Sequence, residues 1–199
     1  MNLIVITGFL GSGKTTFLTK LAKRATEKGL KVGILVNEIG EIGIDDQFMR
    51  RLGLNVWEVL GGCICCTLTT DLIATLETLK RDFQADVVLV EPSGAADPRA
   101  VISTLDRFDK GSVTGKRQIA LVDMLRMEML MEVLSPLTTA TIQSADLILL
   151  NKTDVSSSEQ VEYAVAAARN VSPEASIQVV SVKNDLAPSL WEELDRWMQ

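Results

Sequence analysis

Two hydrophobic periods alternate along the chain. Leu3–Thr7 (LIVIT), Lys31–Asn37 (KVGILVN), Asp86–Glu91 (DVVLVE), Gln118–Asp123 (QIALVD), Asp146–Leu150 (DLILL) and Ser176–Val182 (SIQVVSV) are short, β-branched and nearly unbroken, the pattern of strands buried on both faces. Asn55–Leu60 (NVWEVL) reads as a further strand. Between the runs, apolar residues recur at helical spacing. Phe17, Leu18, Leu21, Ala22 and Ala25 share one face of a helix that starts near Lys14 and stops at Gly29. Leu72, Ile73, Leu76, Leu79 and Phe83 mark a second helix. Asp97 caps a third, with Pro98 in its first position, and Val155–Gln160 (VSSSEQ) has the residues of another N-cap. A last helix covers about Ala187 to Met198. Strands alternating with helices predict an α/β fold with a mostly parallel central sheet and helices on both faces. No repeat, low-complexity tract or linker interrupts the pattern, so residues 1–199 are expected to form a single domain.

The first strand runs directly into GFLGSGKT (Gly8–Thr15), a full match to G-x-x-x-x-G-K-[ST], and a helix follows at once. Glycines let the backbone curl until its N–H groups face inward as an anion nest, and the helix N-terminus adds its dipole. Gly11, Ser12, Gly13, Lys14, Thr15 and Thr16 are therefore candidate nucleotide-binding residues of a P-loop NTPase. Lys14 is expected to reach the β- and γ-phosphates, and the Thr15 hydroxyl to ligate magnesium. A glycine-rich turn with a solvated lysine is the plainer alternative, and the full pattern in this strand-to-helix context argues against it.

Further along, DLILLNKTD places Asn151, Lys152 and Asp154 in an N-K-x-D box at a strand end. A carboxylate at Asp154 can accept from the paired N–H donors of guanine, which adenine lacks. Asn151 can bond the purine edge or hold the phosphate loop, and the Lys152 stem can pack on the base. Alone, the box would be a polar turn closing a strand; after a phosphate loop it favours GTP over ATP. Ser181 and Lys183 in the next loop are candidate base contacts. VVLVEPSG (Val87–Gly94) ends its strand in Glu91, at the carboxyl edge where open α/β sheets bind ligands. Many P-loop proteins hold magnesium through an aspartate at this point. The longer Glu91 can instead orient an attacking water, so Lys14 and Glu91 are the candidate catalytic pair, with a solvent-facing acid at a strand end as the plainer alternative. Gly94 can offer its N–H to the γ-phosphate and change conformation on hydrolysis.

Composition narrows the classes. The 199 residues are 47% hydrophobic and 23% charged, with a net charge of −6. A soluble domain fits these values. There is no basic stripe for nucleic acid and no apolar run long enough to span a bilayer. The N-terminus runs into the phosphate loop without a signal-peptide pattern, and the expected location is cytoplasmic. All three cysteines fall within GGCICCT (Gly61–Thr67), and there is no histidine. Sulfur-rich core, a redox device and a metal site are all open readings of this stretch taken alone.

Four boxes in order, GFLGSGKTT, VNEIGEIGIDD, GGCICC with EPSG behind it, and NKTD, closely resemble the CobW-type GTPases of the CobW/HypB/UreG group of metal-handling P-loop GTPases. The resemblance covers Ile4 to about Val182, and the Cys-x-Cys-Cys motif is its most discriminating part. It implies GTP hydrolysis to GDP, coupled to binding and delivery of a metal, usually zinc and in some members cobalt. Typical members continue into a C-terminal domain, often rich in histidine; this sequence stops at Gln199, as a minimal member or as a piece of a longer one.

Within that frame, the cysteines read best as metal ligands. Their spacing is not that of a Cys-x-x-Cys redox pair, and adjacent cysteines rarely close a disulfide. Cys63, Cys65 and Cys66 offer three soft thiolates. With neither a fourth cysteine nor a histidine to close a tetrahedral site, the last ligand is a carboxylate, water or a partner's side chain. Glu38 and Glu41 are the candidate carboxylates. The resemblance singles out Glu38 as a ligand of the transferred metal and places Asp45 or Asp46 near magnesium. A GTP-hydrolysing metallochaperone or cofactor-assembly protein is the leading reading, slow without a partner, with an unidentified client metalloprotein or cofactor-dependent enzyme and with GTP-dependent homodimerisation compatible. A nucleotide-binding thiol or metal sensor with little turnover is the alternative, followed by a P-loop kinase.

Overall fold

The computed structural model describes residues 1–36, 55–58, 68–94, 97–108 and 113–199. Their order is β1 (Asn2–Thr7), α1 (Lys14–Glu27), β2 (Val32–Val36), β3 (Asn55–Glu58), α2 (Leu68–Thr78) with a π-helical turn after it (Leu79–Phe83), and β4 (Val87–Glu91). Then come α3 (Pro98–Phe108), β5 (Gly115–Asp123), a 3-10 turn (Met124–Arg126), α4 (Met127–Val133), α5 (Ser135–Gln143) and β6 (Leu147–Asn151). The last elements are α6 (Ser158–Val171), β7 (Ser176–Val179) and α7 (Pro188–Met198). The strands form one seven-stranded sheet in the order β3-β2-β4-β1-β5-β6-β7, and every pair is parallel.

Alternation along the strands sends residues to both faces, and both faces are covered. On one, Ile4, Ile6, Ile34, Leu89, Ile119, Leu121 and Leu149 pack against α1 and α7. On the other, Leu3, Val5, Leu35, Val88 and Val90 meet α2 and α3, while Ala120, Val122, Ile148 and Leu150 meet the segment from Met124 to Ile142 and α6. The predicted α/β architecture is the observed one. Helix ends follow local chemistry: Ser157 and Gln160 form a reciprocal capping box at the start of α6. Asp97 Oδ1 accepts from the Arg99 amide at 2.9 Å at the start of α3. Asp195 of α7 receives Arg24 at 2.7 Å and Lys28 at 2.9 Å, which fastens α7 to α1.

Two strands differ from their sequence limits for definite reasons. β5 begins at Gly115, three residues early, because Gly115, Lys116 and Arg117 pair in register with Asn2, Leu3 and Ile4 of β1; their polarity hid this from the hydrophobic pattern. β7 ends at Val179, short of Val182, because the Val182 amide is taken by a side chain, Asn151 Oδ1, at 2.9 Å. Among the described residues no helix is long and apolar enough to cross a membrane.

The order in which strands are added reverses at β1: β2, β3 and β4 lie on one side of it and β5, β6 and β7 on the other. The crevice at the carboxyl end of β1 is thus the switch point at which ligands bind in such sheets. Leu89, fully buried in the centre of β4, tests how far this core carries the fold. Leu89→Ala is expected to lower stability by roughly 2–5 kcal/mol in urea unfolding.

Candidate nucleotide-binding site

The loop after β1 fills the switch point. Ser12 N bonds Phe9 O at 3.1 Å, which closes the turn. Gly13 has φ +103°, and a Cβ there would lie 2.5 Å from Asn151 Nδ2 and 3.0 Å from Val182 Cγ2, so only glycine fits both the conformation and the space. Gly94, after β4, lies against the same loop; a Cβ on it would stand 2.8 Å from the Leu10 amide nitrogen. The loop that carries Gly94 and the phosphate loop are therefore in backbone contact. Among the described residues, the buried Ser12 hydroxyl has no hydrogen-bond partner. Thr16 is exposed at the start of α1.

Lys14 and Glu91 meet beneath this loop. Lys14 Nζ is 3.8 Å from Glu91 Oε1 and donates to Phe9 O at 3.4 Å; both side chains are buried. Thr15 Oγ1 donates to the two Glu91 oxygens at 3.4 and 3.5 Å. Burial pushes the Glu91 carboxyl up to about 7, against the opposing pull of Lys14 and the Thr15 hydroxyl. Burial also lowers the Lys14 ammonium, with Glu91 drawing it back up. A cation, a carboxylate and a hydroxyl thus converge at a helix N-terminus, a donor set suited to a polyphosphate and a hard divalent cation.

At the other end of the crevice the N-K-x-D box is folded onto the loop. Asn151 Nδ2 donates to Ser12 O at 2.7 Å, and its Oδ1 accepts from Val182 N at 2.9 Å. Lys152 adopts φ +79°, unusual for a side-chain-bearing residue. Its Nζ reaches Asp123 Oδ2 at 2.7 Å, and its carbonyl accepts from Ser156 Oγ at 2.7 Å. Asp154 Oδ2 lies 4.0 Å from Lys183 Nζ, and Ser181 is buried. Lys20 of α1 donates to Lys183 O at 3.3 Å and Asn184 O at 2.6 Å, so α1 also supports the Ser181–Asn184 turn. Cys63, Cys65, Cys66, Glu38, Glu41, Asp45 and Asp46 lie outside the described residues.

Asp123, Arg126 and Lys20 were not singled out by the sequence. Asp123 carried a readable signal, an acid ending an apolar strand as Glu91 does. Arg126 and Lys20 carried none for the carbonyls they reach, which lie 116 and 163 or more positions away.

Fold and site together define a P-loop nucleotide-binding protein. The family can be stated as well: the model of the CobW/HypB/UreG nucleotide-binding domain matches residues 2–179, and the chain belongs to that family. It is 34% identical over 180 residues to the zinc chaperone CobW of Sinorhizobium sp., covering 76% of this chain and 50% of that protein. It is similar to the crystal structure of Zn(II)-bound YjiA GTPase from E. coli, with a TM-score of 0.70, 26% identity and coverage of 94% of this chain and 59% of that one. The hydrogenase maturation factor HypB from Archaeoglobus fulgidus has the same fold, with a TM-score of 0.70 at 20% identity, covering 100% of this chain and 91% of that one. The chain spans about half the length of the curated relatives it matches, 50% for CobW and 49% for the zinc chaperone YjiA of E. coli.

The Glu91 carboxyl gives the nucleotide-free protein a definite pH response. A carboxyl held at about 7 when folded, against 4.5 in its ordinary state, favours the fold below 4.5 and loses that contribution as pH rises through about 7. From about pH 6 to about pH 8 the wild type is expected to lose roughly 2–4 °C more in melting temperature than Glu91→Gln, the equivalent of about 1 kcal/mol in a domain of this size. Parallel melting curves for the two proteins would refute the shift.

Proposed function

We propose that this chain is a GTP-binding and GTP-hydrolysing metallochaperone module that passes a divalent metal, zinc in the first place, to a client metalloprotein. The observation that carries the nucleotide half is the Asn151 amide, which binds the phosphate loop at Ser12 and the following loop at Val182 at once. With Asn151 so held, Lys152 and Asp154 would border the base end of the crevice. Asp154 then selects guanine, with Ser181 and Lys183 bordering the base.

The donor set fits GTP with magnesium on the chain's own terms. Lys14 would take the β- and γ-phosphates and Thr15 would ligate magnesium, which neutralises phosphate charge when bound. Both side chains now lean on Glu91, so nucleotide binding exchanges one set of oxygen partners for another. Once Lys14 and Thr15 turn to the nucleotide, the Glu91 carboxyl is left to hold or accept a proton from water. Gly94, which lies against the loop at Leu10, would sense the γ-phosphate.

The metal half rests on the cysteines and on what related proteins are called. Cys63, Cys65 and Cys66 supply three thiolates, and Glu38, water or the recipient supplies the fourth ligand. The described anchors of the two segments that hold them are neighbours: Val36 pairs with Glu91 on one side and with Glu58 on the other. The relatives named zinc chaperones and the Zn(II)-bound YjiA support zinc as the metal. Hydrolysis, the client and any GTP-dependent homodimer belong to this proposal.

Titration of the reduced protein with zinc, in the presence of GTP, GDP or no nucleotide, tests it. Zinc is expected to bind with a nucleotide-dependent affinity, and by linkage GTP affinity changes by the same factor when zinc is added. Replacing Cys63, Cys65 and Cys66 by serine is expected to abolish zinc binding and leave GTP affinity without zinc within about twofold of wild type. A reduced protein that binds GTP but no zinc, cobalt or nickel would end the chaperone reading.

A further inference from the structure

Three carbonyls of the phosphate loop each receive a side-chain donor. Phe9 O receives Ser12 N and Lys14 Nζ, Ser12 O receives Asn151 Nδ2, and Leu10 O receives Arg126 Nη2. A trans peptide is planar, so its C=O and the next residue's N–H point in opposite directions. A donor that captures the Leu10 carbonyl therefore turns the Gly11 N–H to the far side, just as Asn151 turns the Gly13 N–H by holding Ser12.

Arg126 is built for this. It sits at the end of the 3-10 turn after β5, and its Nε donates to Asp123 Oδ2 at 2.8 Å. Asp123 is 1% exposed and also takes Lys152 Nζ at 2.7 Å and the Leu125 amide at 3.1 Å. The guanidinium is thus fixed at one end by a buried carboxylate and extended at the other to the tip of the loop. It lies against Gly11, where a Cβ would come 3.2 Å from Nη2, and Gly11 has φ +76°.

We propose that Arg126, anchored by Asp123, is a positioning residue that presets the Gly11 amide of the phosphate nest, so that β5 and the N-K-x-D lysine share one counterion with the loop that grips the nucleotide. The inference rests on the nucleotide half of the proposed function. It assigns Arg126 no contact with the nucleotide; the residue acts through the Leu10 peptide.

Arg126→Ala and Arg126→Lys in the full chain, titrated with GDP and magnesium and followed by backbone amide spectra, decide the matter. Arg126 is 39% exposed, so the alanine variant is expected to fold with a melting temperature within about 2 °C of wild type. Its GDP affinity is expected to fall roughly ten- to a hundredfold, the worth of one charge-assisted hydrogen bond. In the wild type the Gly11 and Gly13 amide protons both shift downfield on binding. In Arg126→Ala at saturating GDP, Gly11 loses its shift and Gly13 keeps it. Arg126→Lys behaves like the alanine variant, because a single ammonium cannot hold Asp123 and reach Leu10 O together.

Wild-type affinity in Arg126→Ala, or an intact Gly11 shift, overturns the proposal. Full rescue by lysine also overturns it, since positive charge near the phosphates would then suffice. A wild type that binds ADP in place of GDP defeats the guanine reading alone, and the same comparison with ADP decides the role of Arg126. A wild type that binds neither defeats both.

Discussion

The carboxyl edge of the sheet is organised around one side-chain amide. Asn151 is 2% exposed, donates to the Ser12 carbonyl and accepts from the Val182 amide. A buried backbone group left without a partner costs about 1–3 kcal/mol, so one asparagine settles two such debts between segments that share no ladder. No isosteric replacement does both: aspartate would set a carboxylate against a carbonyl at Ser12, and leucine would satisfy neither. Because the Val182 amide is held by a side chain, β7 ends early and the chain is free to turn at Ser181–Asn184. Because Ser12 is held, Gly13 has no room for a side chain. The limits of β7, the turn beside the base box and the shape of the phosphate loop thus follow from one residue at the end of β6.

Beneath that loop the dominant effect is desolvation, and magnitudes show why. Lys14 and Glu91 are 3.8 Å apart and buried, yet the carboxyl is pushed up to about 7. Attraction between the two charges is therefore weaker than the cost of taking the carboxylate out of water. Phe9 O and the Thr15 hydroxyl offer the pair some compensation, though at 3.4–3.5 Å these are long contacts. Such a cluster is poorly satisfied when left to itself. On the proposed function, phosphate oxygens and a magnesium ion would relieve it, which makes the site's unfavourable electrostatics part of its affinity for ligand.

Sequence pattern revealed the strands, the phosphate loop and the N-K-x-D box, because each is written in consecutive residues whose local physics is strong. The pattern left Asn151 with two roles, the purine edge or the phosphate loop; in the structure its amide lies on the loop and on Val182. Asp123 could have been read from QIALVD by the same reasoning applied to VVLVE. Arg126 and Lys20 could not, since nothing local to either predicts a carbonyl more than a hundred positions away. The polar start of β5 was hidden because Lys116 and Arg117 join the ladder through backbone groups that carry no hydrophobic signature.

On the proposed function a nucleotide has to govern a metal held on the cysteines, and useful coupling between two sites is of the order of 1–3 kcal/mol. Such coupling can pass through the backbone. The described residues contain suitable routes. Gly94 touches the phosphate loop at Leu10, and Glu91, three residues before it, is paired with Val36, from which the Glu38 segment departs. Val36 is paired in turn with Glu58, the last described residue before the cysteines. A movement of the β4 strand end therefore has only one strand to cross before it reaches the attachment points of both candidate metal-binding segments.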